Sequence, residues 1–326
     1  MAVSTSFTEL VEHRDIVDDT ASIGRRIAMF DGVLPAEDPT LIVSSQDDKL
    51  PPTGCQVPEV PADQFSAHSL RAAIRQHGAL IVRKLFPETF TDTARTAVDR
   101  VLEAADKFGK DPEYARGGSD YYFSPPGILS AVMPGKELGN SRGFHRDSGS
   151  AMCVEAPCVA EALLNLYEEY GLKNKIADYL GETPCLSAKK WVLRRSRLPI
   201  SDAGWHQDGA FMGTDINSIN MWLPLSRCGG TCGAPGMDVI PRRLTSIVSA
   251  QGAQFNWSVS PGYIEDHFGD SPPVSPVFNP GDAFFFDHYY LHRTQYGEAF
   301  EKQRYAIETW FFGDSSFPKN QVPIAW

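Results

Sequence analysis

Three side chains set far apart constrain this chain more than any other feature. His206 and Asp208 lie two positions apart in Trp205-His206-Gln207-Asp208-Gly209, and His292 closes the run Gly281-Asp282-Ala283-Phe284-Phe285-Phe286-Asp287-His288-Tyr289-Tyr290-Leu291-His292. In extended backbone, residues i and i+2 share a face, so His206 and Asp208 can reach one metal ion while Gln207 points elsewhere. The interval up to His292 leaves room for several strands and turns, and His292 is expected to close the triad from a facing strand. Two imidazoles and a carboxylate occupy one face of an octahedron and leave other positions open, the arrangement of non-haem iron(II) oxygenases. Arg304 follows at the head of an alternating apolar run. Its planar fork can hold a carboxylate through two bonds, which suits it to anchor an acid cosubstrate. A second His-x-Asp, His145-Arg146-Asp147, competes with the first. The next histidine able to complete it is His206, and no arginine-led strand follows at a matching distance. His145 and Asp147 are therefore read as lining the pocket mouth, or as having no part in the site, rather than as binding the metal.

From Cys185 onward, short apolar runs alternate with Gly, Pro, Asp and Ser, the pattern of a β-sandwich or jelly roll. Strands are expected at Trp191–Leu198, Ile219–Leu225, Asp238–Pro241, Ala283–Phe286, Leu291–Thr294 and Tyr305–Phe312. Before them the periodicity is helical. Leu70, Ala73 and Ile74 share a face from about Ser66, with Gly78 as a stop, and a strand Ala79–Leu85 follows. Pro87 then opens a longer helix in which Ala94, Val98, Val101, Leu102 and Ala105 repeat at helical spacing. Another helical stretch over 156–180 is interrupted near Gly171. Packed on the outer face of the sheet, these helices give one mainly β domain over 66–326 with a helical N-terminal layer. Residues 1–65 are broken by Pro35, Pro39, Pro51, Pro52, Pro58 and Pro61 and read as an irregular arm. Residues 110–150, rich in Gly, Pro, Tyr and Ser, read as a lid or binding loop.

Taken together, the segments around the triad resemble the phytanoyl-CoA dioxygenase superfamily of iron(II)/2-oxoglutarate-dependent oxygenases. The matching positions are Trp205-His206-Gln207-Asp208, then Gly281 and Asp282 leading to His292, with Thr294 two places on and Arg304 a strand-turn later. His288 lacks a threonine two places on, so His292 is taken as the third ligand. The resemblance implies a double-stranded β-helix of the jelly-roll, cupin-like type. It implies iron(II) held by His206, Asp208 and His292, with 2-oxoglutarate held by Arg304 and Thr294, approached by Gln207 and walled by Trp222. Dioxygen is the second cosubstrate, and the implied reaction hydroxylates or otherwise oxidises a small organic molecule, in natural-product or acyl metabolism, with release of succinate and carbon dioxide. Halogenation is disfavoured, because the relatives that halogenate replace the carboxylate ligand and Asp208 is present. Two stretches depart from the family pattern, Val239-Ile240-Pro241-Arg242-Arg243 and Arg194-Arg195-Ser196-Arg197-Leu198-Pro199, so no substrate is carried over. The competing reading is a cupin-like metal protein without oxidation, an isomerase, hydrolase or binding module, and Arg304 speaks against it because such a site needs no cosubstrate anchor.

Composition bounds the partners. The 326 residues are 42% hydrophobic and 11% aromatic, enough for a packed core. No apolar run approaches the ~20 residues of a membrane span, and the N-terminus lacks a basic and an apolar signal region, so a cytoplasmic monomer or homodimer is expected. A formal net charge of −11 argues against a nucleic-acid partner. Against that acidity, Lys189, Lys190, Arg194, Arg195 and Arg197 crowd one expected strand, and alternation must turn some of them inward. These charges read either as a solvated or salt-bridged outer face or, with Arg195 as the candidate, as meeting a carboxylate of substrate or cosubstrate at the pocket mouth, with His145 and the loop Tyr121-Tyr122-Phe123 closing over the apolar remainder. Cys228-Gly-Gly-Thr-Cys232 has no complementary Cys or His pair for zinc, so the six cysteines read as free thiols.

Overall fold

A computed structural model describes residues 6–36, 56–111, 122–123, 143, 145–200, 204–248 and 255–326. Its strands in chain order are β1 (Glu59–Pro61), β2 (Ala79–Arg83), β3 (Ser150–Met152), β4 (Pro184–Arg195), β5 (Trp205–His206) and β6 (Ser218–Pro224). They continue with β7 (Met237–Val239), β8 (Ser258–Val259), β9 (Ala283–Phe286), β10 (His292–Thr294), β11 (Tyr305–Gly313) and β12 (Pro323–Ala325). The larger sheet has the order β1-β2-β9-β6-β11-β4-β12, with β3 also on β4, and the smaller has the order β7-β10-β5-β8. Among the described strands only β1 and β2 pair in parallel.

Strand alternation divides the large sheet into two chemically distinct faces. Ile307 and Phe311 of β11, Ile219, Met221 and Leu223 of β6, and Phe285 of β9 enter an outer core shared with the helices. Ala306, Trp310 and Phe312, together with Trp222, Phe284 and Phe286, enter an inner core shared with Met237 and Val239 of the small sheet. Behind the small sheet a third cluster joins Trp205, Val259 and Leu291 to Ile264 and Phe268.

The helices that cover the outer face carry their own start and stop chemistry. Helices α1 (Phe7–Glu12) and α2 (Ile16–Ala28) open the chain, and α3 (Ala67–His77) starts at a Ser66–Ser69 capping box and stops at Gly78 in the left-handed region, φ 84°. After it come α4 (Glu88–Lys110), opened by Pro87, then α5 (Pro157–Glu169) and α6 (Leu172–Leu180), separated by Gly171 at φ 64°. Two local expectations are corrected. The stretch read as an irregular arm holds α1 and α2: Ser6 and Asp15 cap them, and Phe7, Val11, Ile23 and Ile27 are buried in the outer core. The breaking prolines begin only at Pro35, and they do not reach back into this capped, periodic segment. The first long strand begins at Pro184, seven positions before the expected Trp191, because Cys185, Leu186 and Ser187 pair with β12, which the apolar pattern had not revealed. Residues 37–55, including Cys55, and most of the 110–150 loop, including Tyr121, lie outside the described residues; the described cysteines are free thiols.

The Gly281-Asp282 pair has a structural reason. Gly281 sits at φ 83°, and a Cβ there would collide with the carbonyl oxygen of Phe86. The buried Asp282 carboxylate accepts from the backbone N–H of Lys84 (3.0 Å), the backbone N–H of Asn279 (2.9 Å) and the Arg83 guanidinium (2.5 Å). This clamps the start of β9 to the end of β2. Gly281→Ala should lower stability by about 2 kcal/mol or more, from the left-handed backbone cost plus the displaced carbonyl. Urea unfolding reads it, and an unchanged midpoint would mean that the turn relaxes freely.

Candidate metal centre

The smaller sheet builds the centre. β10 and β5 run antiparallel with His292 directly opposite His206, and the two rings lie 4.4 Å apart between centroids. Asp208 arrives by a different route from the one expected. The chain leaves β5 after His206, and Asp208 has helical backbone (φ −62°, ψ −26°) at the head of the short helix α7 (Gly209–Met212). The turn is held by Gly209, whose N–H donates to the carbonyl of His288 (2.9 Å). It is therefore a helical turn, and not strand alternation, that brings the carboxylate beside the imidazoles. One ligand atom from each of His206, Asp208 and His292 lies within 4.8 Å of the others, the single such group among the described residues.

Both imidazoles are oriented by backbone. Nδ1 of His206 faces the Gly204 carbonyl and Nδ1 of His292 faces the Tyr290 carbonyl, each at 2.9 Å. A ring nitrogen beside a carbonyl oxygen must carry the proton, which leaves both Nε2 atoms bare as metal ligands. Burial lowers the His206 pKa to about 4, with the His292 ring adding to it, and burial also lowers His292, so both rings are neutral at neutral pH, the ligating form. For Asp208, burial would raise the pKa, but Lys190 and the two histidines outweigh it and keep the carboxylate ionised. Asp208 and His292 are buried while His206 keeps a partial opening, beside the edge of Trp257 at 5.4 Å.

Arg304, just before β11, is 5% exposed, and its guanidinium lies 5.6 Å from the centroid of Trp222 on β6. Nη1 donates to the Gly236 carbonyl at 3.2 Å, Nε has no hydrogen-bond partner, and no carboxylate among the described residues pairs with it. Burial lowers its pKa to about 10, with repulsion from Arg194 as the next cause. Thr294 lies two places after His292 on β10, sharing its face, and is partly buried. Gln207 is otherwise engaged: its amide donates to the carbonyls of Ser246 (3.0 Å) and Tyr289 (2.7 Å), and its oxygen accepts from the Val248 N–H (2.7 Å). Both amide hydrogens are spent on backbone, so Gln207 holds the 246–248 segment against the strand and has no donor left for a cosubstrate.

The substrate residues expected from sequence are placed differently. Arg195 turns to the helical layer and pairs with Asp99 of α4 at 2.7 Å. The Tyr122 hydroxyl accepts from Arg100 (2.8 Å) and donates to Glu12 (3.1 Å), a link between α4 and α1 rather than a lid over the metal. His145 is buried with Nε2 3.3 Å from the Lys189 carbonyl, and burial lowers its pKa to about 3, followed by repulsion from Arg194 and Lys190. His288 stands outside the triad, with Nδ1 2.8 Å from the Ser218 hydroxyl.

Sequence reasoning missed a partly buried ion cluster beside the triad. Lys190 Nζ donates to Asp208 Oδ1 at 2.9 Å, lies 3.8 Å from Glu308 Oε1 and sits 4.5 Å from the centroid of Phe211. Arg194 binds Glu308 Oε2 through Nε at 2.9 Å and also through Nη2. Burial opposes the Glu308 charge, but Arg194 and Lys190 hold its pKa down at about 2. Parity counted from Arg304 places Glu308 on the same face, a signal present in the alternating run.

No family model matches this chain, and no curated protein sequence matches it. Solved structures do. EctD from S. alaskensis, determined with 2-oxoglutarate and 5-hydroxyectoine, is similar at a TM-score of 0.50 and 15% identity, over 87% of this chain and 84% of that one. The epimerase SnoN, determined with Fe3+, alpha ketoglutarate and nogalamycin RO, is similar at a TM-score of 0.46 and 13% identity, over 78% of this chain and 86% of that one. At such identities the likeness concerns the fold: β-sheets with accompanying helices. No helix among the described residues is long and apolar enough to cross a membrane.

Proposed function

We propose that this chain is an iron(II)/2-oxoglutarate-dependent oxygenase acting on a small organic molecule, its two facing sheets forming a double-stranded β-helix over 66–326. The observation that carries this reading is Arg304. An unpaired buried guanidinium costs several kcal/mol in desolvation, and a non-oxidative metal site has no use for one. A dicarboxylic 2-oxo acid supplies the missing partner at one end and reaches the metal with the other. In this reading the bare Nε2 atoms of His206 and His292 and the Asp208 carboxylate hold iron. Arg304 takes the far carboxylate of 2-oxoglutarate against the face of Trp222, and the Thr294 hydroxyl lies on the same side. The donor set fits the metal: two neutral imidazoles and one ionised carboxylate suit iron(II) and leave positions open. When bound, iron and 2-oxoglutarate supply the dioxygen chemistry, and the protein orients substrate and excludes water. The fold likeness to EctD, a structure that contains 2-oxoglutarate, supports the same assignment.

Succinate release tests it. Purified protein with iron(II), 2-oxoglutarate and dioxygen should release succinate without added substrate, slowly. A chelator should stop the release and fresh iron(II) should restore it, whereas zinc(II) should not. Protein that binds iron at the triad yet releases no succinate and does not bind 2-oxoglutarate would return the site to non-oxidative metal chemistry.

A further inference from the structure

With a metal on Asp208, the polar wall beside the triad carries more positive charge than its remaining acid can balance. On the inner face of β4, Lys190 and Arg194 flank Glu308 of β11, and each Glu308 oxygen already has one of these cations near it. Asp208, the other acid in the cluster, is committed to the metal in the reading above, on which this inference rests. Arg304 is in turn committed to 2-oxoglutarate. Lys190 and Arg194 are then left with Glu308 alone, two positive charges against one negative. Neither side chain is sealed: they are 17% and 16% exposed, and Arg194 Nη1 has no hydrogen-bond acceptor among the described residues. Next to the cations the wall becomes apolar, because Lys190 lies over Phe211, Phe211 meets Trp257 at 5.9 Å, and Trp257 stacks on Phe255 at 4.7 Å.

We propose that Arg194, with Lys190, forms a second anion site that receives a carboxylate of the substrate, while Phe211 and Trp257 flank its apolar body. The substrate class is therefore a hydrophobic carboxylic acid, its chain running from the cations along Phe211 and Trp257 toward the partly open His206. Arg194 is the specificity-determining residue because a free guanidinium edge can add a hydrogen-bonded carboxylate without releasing Glu308. Glu308 keeps both cations on the inner face, and it also competes for them with the incoming acid.

Zinc(II)-loaded protein, saturated with 2-oxoglutarate and unable to turn over, allows binding to be read without chemistry. Straight-chain carboxylates from butyrate to decanoate are titrated beside their primary amides by calorimetry. The acids should bind about tenfold or more tightly than the amides of equal length. Arg194→Gln should erase that preference with zinc(II) still bound. Glu308→Gln should strengthen acid binding severalfold, since it removes the competing charge; a purely structural pair would lose binding in both variants. Equal affinity for acid and amide, no binding of either, a preference that survives Arg194→Gln, or displacement of 2-oxoglutarate by the acids would each overturn the proposal. Failure of zinc(II) or 2-oxoglutarate to bind in the first titration strikes the oxygenase reading instead. The acid and amide series is then compared on the protein alone, where Asp208 stays with Lys190 and the free edge of Arg194 by itself still requires the acid to win, by a smaller margin.

Discussion

His206→Ala, Asp208→Ala and His292→Ala are each expected to abolish iron-dependent turnover, and His288→Ala to leave most of it. Each of the first three removes one of the three ligands proposed for the metal. Loss of a group that merely orients a ligand costs ~10- to 100-fold in metal affinity, so loss of a ligand should exceed about 100-fold. His288 is close in sequence and as buried, but its Nδ1 faces Ser218, and its backbone carbonyl, which an alanine retains, holds Gly209. His288→Ala should therefore cost about 1–3 kcal/mol of stability through the cavity and the stranded Ser218 hydroxyl, with metal content unchanged. Metal analysis of the four purified variants decides it. Iron lost from His288→Ala and kept by His292→Ala would exchange their roles.

For Arg304 the expected effects on binding and on stability have opposite signs. A buried carboxylate deprived of its charged partner loses ~2–5 kcal/mol, so Arg304→Ala should weaken 2-oxoglutarate binding at least about 30-fold and leave the metal in place. Arg304→Lys should restore only part, because an ammonium cannot reproduce the fork. Without cosubstrate, the guanidinium is a charge with no carboxylate partner among the described residues, and its replacement by a similar apolar volume should be stabilising by about 1–3 kcal/mol. Arg304→Met is therefore expected to unfold later than the parent protein in the absence of 2-oxoglutarate and to lose the stabilisation that 2-oxoglutarate gives the parent. Unchanged 2-oxoglutarate affinity in Arg304→Ala would end the anchor assignment.

The arginine also shows how far a linear reading reaches. Its position at the head of an alternating run was visible, but the absence of a partner was not. That absence depends on every carboxylate that could fold back toward it, and only the packed arrangement shows that none of the described ones does. The basic run before His206 makes the same point more sharply. Alternation predicts that Arg194 and Arg195 diverge, yet it does not say which of them faces inward. The phase is set by the pairing of β4 with β11, where Val192 stands opposite Glu308 and Arg195 opposite Tyr305. The inward set is Lys190 and Arg194, while Arg195 meets Asp99 on the helix outside.

What the sequence determined by itself is local and short-range. Ser66 and Gly78 bracket a helix, and alternating apolar runs make two-faced strands. Tertiary structure decided whatever depends on convergence. It placed His292 across from His206, brought Asp208 in through a helical turn, spent Gln207 on backbone and drew Tyr122 into the α1–α4 contact. The physical reason is that propensities and caps act within a few residues of the chain. The environment of a charge is the sum over everything that folding brings near it, and no spacing along the sequence contains that sum.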